Sequence, residues 1–249
     1  MLTLRNTPNL AGIEISGDYL DLDTLYLALH TAVGDEGEFP AYEGARLCVL
    51  GLCYDLRHAV QGDREVGFVP NGMDADRMKF LGLIAPEKNL YYKVNALYPE
   101  ILFVTIALND FIRLYAKKQA KSAPFPLLDK KNLWDSAIAN VRLFQSQVIN
   151  CVKAVVSEAS FKRITNLMHK DYPWTDGYAT QYLDLLNIRY LNIGDREERA
   201  KALSTTVKRM VEKGKEYQQV EQEVRAMARE HNCSVEDISL VEDYPDVEW

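Results

Sequence analysis

The stretch Leu90-Tyr91-Tyr92-Lys93-Val94-Asn95-Ala96-Leu97-Tyr98-Pro99-Glu100-Ile101-Leu102-Phe103-Val104-Thr105-Ile106-Ala107-Leu108 changes its hydrophobic period part-way along. Over Leu90–Asn95 the residues Leu90, Tyr92 and Val94 share one face, the two-residue period of a β-strand. Pro99 suits the first position of a helix, which lacks a partner for that N–H anyway. The helix runs to about Lys118 and is apolar apart from Thr105, Asn109 and Arg113, which are four apart and form one polar stripe with Asp110 and Lys117 adjoining. A half-covered strand leading into a buried helix is an α+β signature.

Upstream, Leu2/Leu4 and Ile13/Ile15 alternate with polar neighbours around Asn6-Thr7-Pro8-Asn9, a turn sequence, so a hairpin is expected. Another short strand is read at Glu65–Val69, stopped by Pro70-Asn71-Gly72. These strands make a small, mainly antiparallel sheet from the first hundred residues. The remainder is helical by period. Asp21 or Asp23 caps a helix through Val33, and Glu43–Val60 is apolar on nearly every face. Asp129 caps another helix through Val156, with further helices at about Ser160–Lys170 and Asp176–Ile193.

After Gly194, Asp195 caps a pattern that continues towards His231. Leu203, Val207, Met210, Gly214, Tyr217, Val220, Val224 and Met227 recur at spacings of three and four, a near-heptad seam with one slip at Tyr217–Val220. One long helix is expected, lying on its own core or on a second subunit. The organisation read from this is a single α+β domain over 1–193, then a long amphipathic helix and an acidic tail over 194–249. That tail, Glu236 to Trp249, holds six acids and no Lys or Arg. Leu240, Val241, Tyr244 and Trp249 give it apolar anchors, so it is expected to dock on the protein's own surface or on a partner.

The chain has 249 residues, 47% of them hydrophobic and 26% charged, enough apolar material for a sizeable core. Net charge is −7 but uneven: residues 1–100 carry 8 Lys/Arg against 15 Asp/Glu, residues 101–193 carry 12 against 7, and residues 194–249 carry 9 against 14. An acidic total argues against nucleic acid as a partner, since such binding needs a basic footprint. Ile101–Leu108, the most apolar run, falls far short of the roughly 20 apolar residues that span a bilayer. Met1-Leu2-Thr3-Leu4-Arg5 leads to Asn6 and Pro8 instead of an apolar signal region, so the expected location is cytoplasmic. Cys48, Cys53, Cys151 and Cys233 are too sparse for a disulfide scaffold and lack metal-type pairing.

Walker A, dinucleotide-fingerprint, His-Glu-x-x-His and nucleophile-elbow motifs are absent from the sequence, so it calls for no cofactor and no metal. The densest polar cluster runs from Asp55 to Glu65. His58 has the intrinsic pKa for acid–base work, with Asp55 or Asp63 to orient it, and these three are the candidate catalytic residues. Arg57 and Arg64 suit bidentate contact with an anionic group. Pro86–Lys93 mixes aromatics with cations and adds Lys88 and Tyr91 as candidate substrate contacts. If the polar stripe after Pro99 faced His58, it would complete a pocket.

Arg163 with His169, and Arg225 with His231, have five residues between them, a spacing similar to that of HEPN ribonucleases. Three further stretches, Gly12-Ile13-Glu14-Ile15-Ser16-Gly17-Asp18, Tyr54 to Arg64, and Ala85 to Tyr91 running on to Ile112, resemble an uncharacterised bacterial protein family with no assigned function. That resemblance covers about the first half of the chain and implies a bacterial source, without a substrate or catalytic residue. The strongest signals are packing surfaces. The leading expectation is therefore a non-catalytic binding or assembly protein of the bacterial cytosol, a homo-oligomer (a dimer) with room for a protein partner. An enzyme using the His58 cluster on an anionic substrate is the alternative, and a HEPN-like ribonuclease is third.

Overall fold

In a computed structural model, residues 1–120, 123–169, 174–240 and 244–249 are described. Four strands form one antiparallel sheet in the order β1 (Thr3–Asn6), β2 (Gly12–Gly17), β4 (Lys88–Leu97), β3 (Val66–Pro70). The chain is α+β and dominated by helices. Ile15 faces Val94 and Ile13 faces Ala96 across β2 and β4, so the alternating apolar residues form one covered row. Glu14, Lys93 and Glu65 occupy the opposite, wet face, with Lys93 Nζ 3.2 Å from Glu14 and 2.7 Å from Glu65.

The covered row meets α1 (Tyr19–Val33), α2 (Glu43–Val60) and α4 (Tyr98–Gln119). The cap of α1 is Asp18, not Asp21 or Asp23. Its carboxylate accepts from the Asp21 N–H while Asp21 reaches back to the Asp18 N–H, a reciprocal capping box. Helix α4 lies at the centre and is buried along most of its length. Its polar stripe faces α6 (Ser136–Lys153), where Gln145 Nε2 donates to the Thr105 carbonyl at 2.6 Å and Arg142 reaches Asn109. The stripe therefore does not complete a pocket with His58. Asp110, also on α4, is buried and accepts from the Thr175 N–H and hydroxyl and from Arg113.

Several expected helices are shorter than their periodicity suggests. The helix expected from Asp129 to Val156 is two, α5 (Lys130–Leu133) and α6, because the Asp135 carboxylate accepts from the Ile138 N–H and starts a new helix. Helix α7 spans Glu158–Met168; the expected end at Lys170 lies outside the described residues. Helix α8 (Gln181–Leu191) starts later than Asp176, after a turn that places Tyr178 in the core.

The long C-terminal helix is likewise two helices, α9 (Arg196–Glu212) and α10 (Lys215–His231). Lys213 takes a left-handed conformation and Gly214, the poorest helix former in the seam, starts the next element. The break turns Tyr217 inward, so its hydroxyl accepts from the Ala179 N–H at 3.0 Å and its ring packs 4.9 Å from Tyr178 and 5.5 Å from Tyr182. Leu203, Val207, Met210, Val220 and Val224 all enter the chain's own core. Of the two readings of the seam, its own core or a second subunit, the first is the one seen: these side chains are covered within one chain.

Two close contacts fix the N-terminal hairpin. A Cβ on Gly12 would sit 1.8 Å from the Ala96 carbonyl oxygen, so β2 and β4 approach only because this residue has no side chain. The turn between β1 and β2 is held by the buried guanidinium of Arg199, which donates to the Asn9, Leu191 and Ile193 carbonyls at 2.9, 3.0 and 2.6 Å. No helix among the described residues is long and apolar enough to cross a membrane.

Candidate functional site

The residues of the Asp55–Glu65 cluster meet in separate pairs. His58 Nδ1 lies 2.9 Å from the Asp63 carboxylate, and its ring packs tilted against Tyr54 with centroids 4.1 Å apart. Arg64 donates to Asp55 at 2.7 Å. Arg57 lies over the Tyr54 ring and lines a groove of about 330 Å³ between α1 and α2 with Asp23 and Tyr26; His58 is not part of that wall. Successive helix residues point about 100° apart, which is why neighbours in sequence serve different surfaces. Lys88 is exposed on β4, and the Tyr91 hydroxyl accepts from the N-terminal ammonium at 3.1 Å. Of the Arg–His pairs, Arg163 and His231 are exposed and Arg225 is held by Glu221.

A different site is built where α2, α4, α8 and the C-terminal segment converge. Its cavity, about 390 Å³, is lined by Cys48 from α2, Glu100 from the first turn of α4, and Thr180, Gln181, Asp184 and Asn187 on or beside α8. Glu236, Ile238, Ser239 and Tyr244 close it from the C-terminal side. Gln181 and Asp184 are three apart, as are Asp184 and Asn187, so one stripe of α8 faces the cavity.

The C-terminal segment is fastened by aromatic and amide contacts. Gln181 Nε2 donates to the Val235 and Ile238 carbonyls at 2.7 and 2.9 Å. The Tyr244 hydroxyl donates to Asp184 at 2.8 Å, and Asn187 Nδ2 reaches that hydroxyl at 3.4 Å. Val247 and Trp249 pack on Ala11, Leu97 and Leu191. The tail docks on the chain's own surface with Tyr244 and Trp249 as anchors; Val241 lies outside the described residues.

The electrostatics of this cavity are one-sided. Its charged lining residues are Glu100, Asp184 and Glu236, with no Lys, Arg or His among the described residues that line it. Burial, then the neighbouring Asp55 and Asp184 charges, pushes the Glu100 carboxyl up to about 7. Burial also raises Asp184, against the opposing effect of the Tyr244 hydrogen bond, and it raises the Cys48 thiol. The side-chain oxygens of Gln181 and Asn187, residues only 5% exposed, find no hydrogen-bond partner. Among the described residues no His/Cys/Asp/Glu group has an arrangement that holds a metal.

A pH test follows for Glu100. Between its ordinary value of 4.5 and about 7 the unfolded chain ionises this carboxyl while the folded chain keeps it neutral. Its contribution is fully present below pH 4.5 and is lost as pH rises through 7. Glu100→Gln is expected to leave stability unchanged near the acid end and to raise it by about 2–3 kcal/mol above neutrality, read from urea unfolding across pH. A gain of equal size at both ends would show that the carboxyl is not desolvated.

A family model, described as Domain of unknown function (DUF6904), matches residues 2–249. The chain belongs to this family. The similarity extends over nearly the whole chain, beyond the first half whose stretches carried the resemblance. It assigns DUF6904 no activity, so the chemistry has to be read from the geometry. No curated protein and no solved structure matches the chain.

Proposed function

We propose that this is a non-catalytic binding protein of the bacterial cytosol whose cavity between α4, α8 and the C-terminal segment takes a small organic cation. The observation that carries the reading is the chemistry of the wall: three carboxyl side chains and no cationic side chain among the described lining residues. Such a wall accepts hydrogen bonds and offers few. An ammonium brings three donors and a guanidinium five, each with the charge that lets Glu100 ionise. Binding of that kind needs no reacting group. It also accounts for a Tyr244 hydroxyl that holds Asp184 in place without neutralising it.

Calorimetric titration tests this with 1,4-diaminobutane and agmatine as probes and succinate as the anionic control. The cations are expected to bind in the micromolar range and to bind more tightly at pH 8 than at pH 6, because Glu100 must lose its proton. Asp184→Asn and Glu100→Gln are each expected to weaken binding about tenfold, the loss of one charge-assisted hydrogen bond. Binding of succinate with no response to either cation would overturn the reading.

A further inference from the structure

No side chain from Gln61 to Tyr91 enters either hydrophobic cluster of the molecule. This segment is an arm made of β3, the short helix α3 (Ala75–Leu81) and the first part of β4. Its loop is closed at Asn71, whose N–H donates to the Glu87 carbonyl at 3.1 Å and whose Nδ2 donates to the Pro86 carbonyl at 2.9 Å. Helix α3 makes no substantial contact with another element. Yet the arm is apolar: Phe68 is 66% exposed, Phe80 89% and Ile84 99%.

The register says which face is bare. Phe68 lies opposite Leu90 and Val66 opposite Tyr92, on the same side as the Ile15–Val94 row that the helices cover. The core face of the sheet therefore runs outward past its helices to end at Lys88, while Glu14, Lys93 and Glu65 lie on the other face. Strand β3 is also an open edge. The Glu65 carbonyl accepts from Lys93 and the Asn71 N–H donates to Glu87, so the odd-numbered residues of β3 bond to β4. The N–H and C=O groups of Val66 and Phe68 then point away from the sheet. An apolar open edge of this kind is what folded proteins otherwise shorten, charge or cover.

We propose that β3 pairs antiparallel with β3 of a second copy of this chain, about a two-fold axis at Gly67, joining two four-stranded sheets into one. In that register Val66 of each copy faces Phe68 of the other, and all four of their outward backbone groups per copy are paired. Pro70, which has no N–H, ends the pairing naturally. The antiparallel sense carries the tip of each arm, with Phe80 and Ile84, towards the base of the other arm, and both bare faces come to lie on one side of the joined sheet.

Three features select a second copy as the occupant. A strand paired with itself about a two-fold is the closed, isologous contact that most oligomers use. Between Asp63 and Lys88 the arm carries four basic and five acidic side chains, a net charge of only −1, so two arms meet with little repulsion. The area is also sufficient. One aromatic side chain can bury about 150–250 Å², and two of them with Val66, Leu81, Leu83 and Ile84 approach the roughly 800 Å² per partner of a stable interface.

Sedimentation velocity at tens of micromolar tests the proposal, with twice the 28.4 kDa chain mass as the expected result. Phe68→Asp and Ile84→Asp are each expected to return the monomer mass with an unchanged far-UV circular dichroism spectrum, since both side chains lie outside the core. The register has its own test in a Cys233→Ser background. Gly67→Cys should give a disulfide-linked dimer on mild oxidation, and Val69→Cys should not. A wild-type monomer at high micromolar concentration, a dimer indifferent to both aspartates, or cross-linking at Val69→Cys in preference to Gly67→Cys would each overturn the proposal.

Discussion

Gly12→Ala is expected to destabilise the protein by about 4 kcal/mol or more, a large share of the roughly 5–15 kcal/mol that holds a domain together. Ordinary overpacking of a core costs about 1–3 kcal/mol, because side chains shift rotamers to make room. At Gly12 the obstacle is the Ala96 carbonyl oxygen, which belongs to the paired strand β4 and cannot turn aside. The strands must part locally, and the adjoining row of Ile13 and Ile15 loses its seat against Val94 and Ala96. Gly51→Ala supplies the comparison. Gly51 lies on the exposed side of α2 with open space around the position of a Cβ, so alanine there is expected to add about 0.5–1 kcal/mol through helix propensity. Urea unfolding of the two variants should move in opposite directions.

Arg199 gives the second large effect. Its guanidinium serves three backbone carbonyls, one in the turn between β1 and β2, one at the end of α8 and one in the link to α9. Tyr190 and Arg196 reinforce the same turn by donating to the Leu10 and Pro8 carbonyls at 2.9 and 3.0 Å. Arg199→Ala leaves one buried and two half-buried acceptors without their donor, at about 1–3 kcal/mol for the buried one and less for the others, so a loss of about 3–4 kcal/mol is expected. Arg199→Lys keeps the charge but not the planar fork, and is expected to recover less than half. Hydrogen exchange separates the local effect from the global one: amides at residues 7–12 should lose protection ahead of those in α2. Simultaneous loss everywhere would mean that the turn is not the weak point.

The fold was legible where one local rule decided it. Glu43–Val60 is a helix with those bounds, though Leu47, Gly51, Tyr54 and Arg57 give it an exposed side where its apolar pattern predicts burial all round; Pro99 announces α4; the alternation at Ile13/Ile15 and Leu90–Asn95 marks strands that pair with each other. Legibility failed where two local signals competed. Near-heptad spacing runs on through Lys213-Gly214, whereas the backbone turns there and sends Tyr217 to meet Ala179. Asp129 and Asp135 are both good caps, and the second ends what the first begins.

The candidate site was less legible, for a topological reason. Cys48, Glu100, Asp184 and Tyr244 come from four distant parts of the chain, and no spacing rule joins them. Glu100 alone looks like an ordinary first-turn acid of a helix. The signal available was the tail itself, whose Tyr244 and Trp249 were identifiable as anchors though not as part of a cavity wall. The Asp55–Glu65 cluster drew attention by density, and density turned into His58–Asp63 and Arg64–Asp55 pairs at the base of the arm.

The docking of Trp249 beside Ala11 bears on how the protein is made. Helix α4, which presents Glu100, leaves the ribosome long before residues 236–249, and until those arrive the cavity has no roof. Until then the floor of the site is an open surface bearing the Glu100 and Asp184 side chains. The complete wall of the cavity therefore forms late, in one closing step. A nascent chain halted before Tyr244 would hold most of its core residues and still lack the contact that closes the cavity over Asp184.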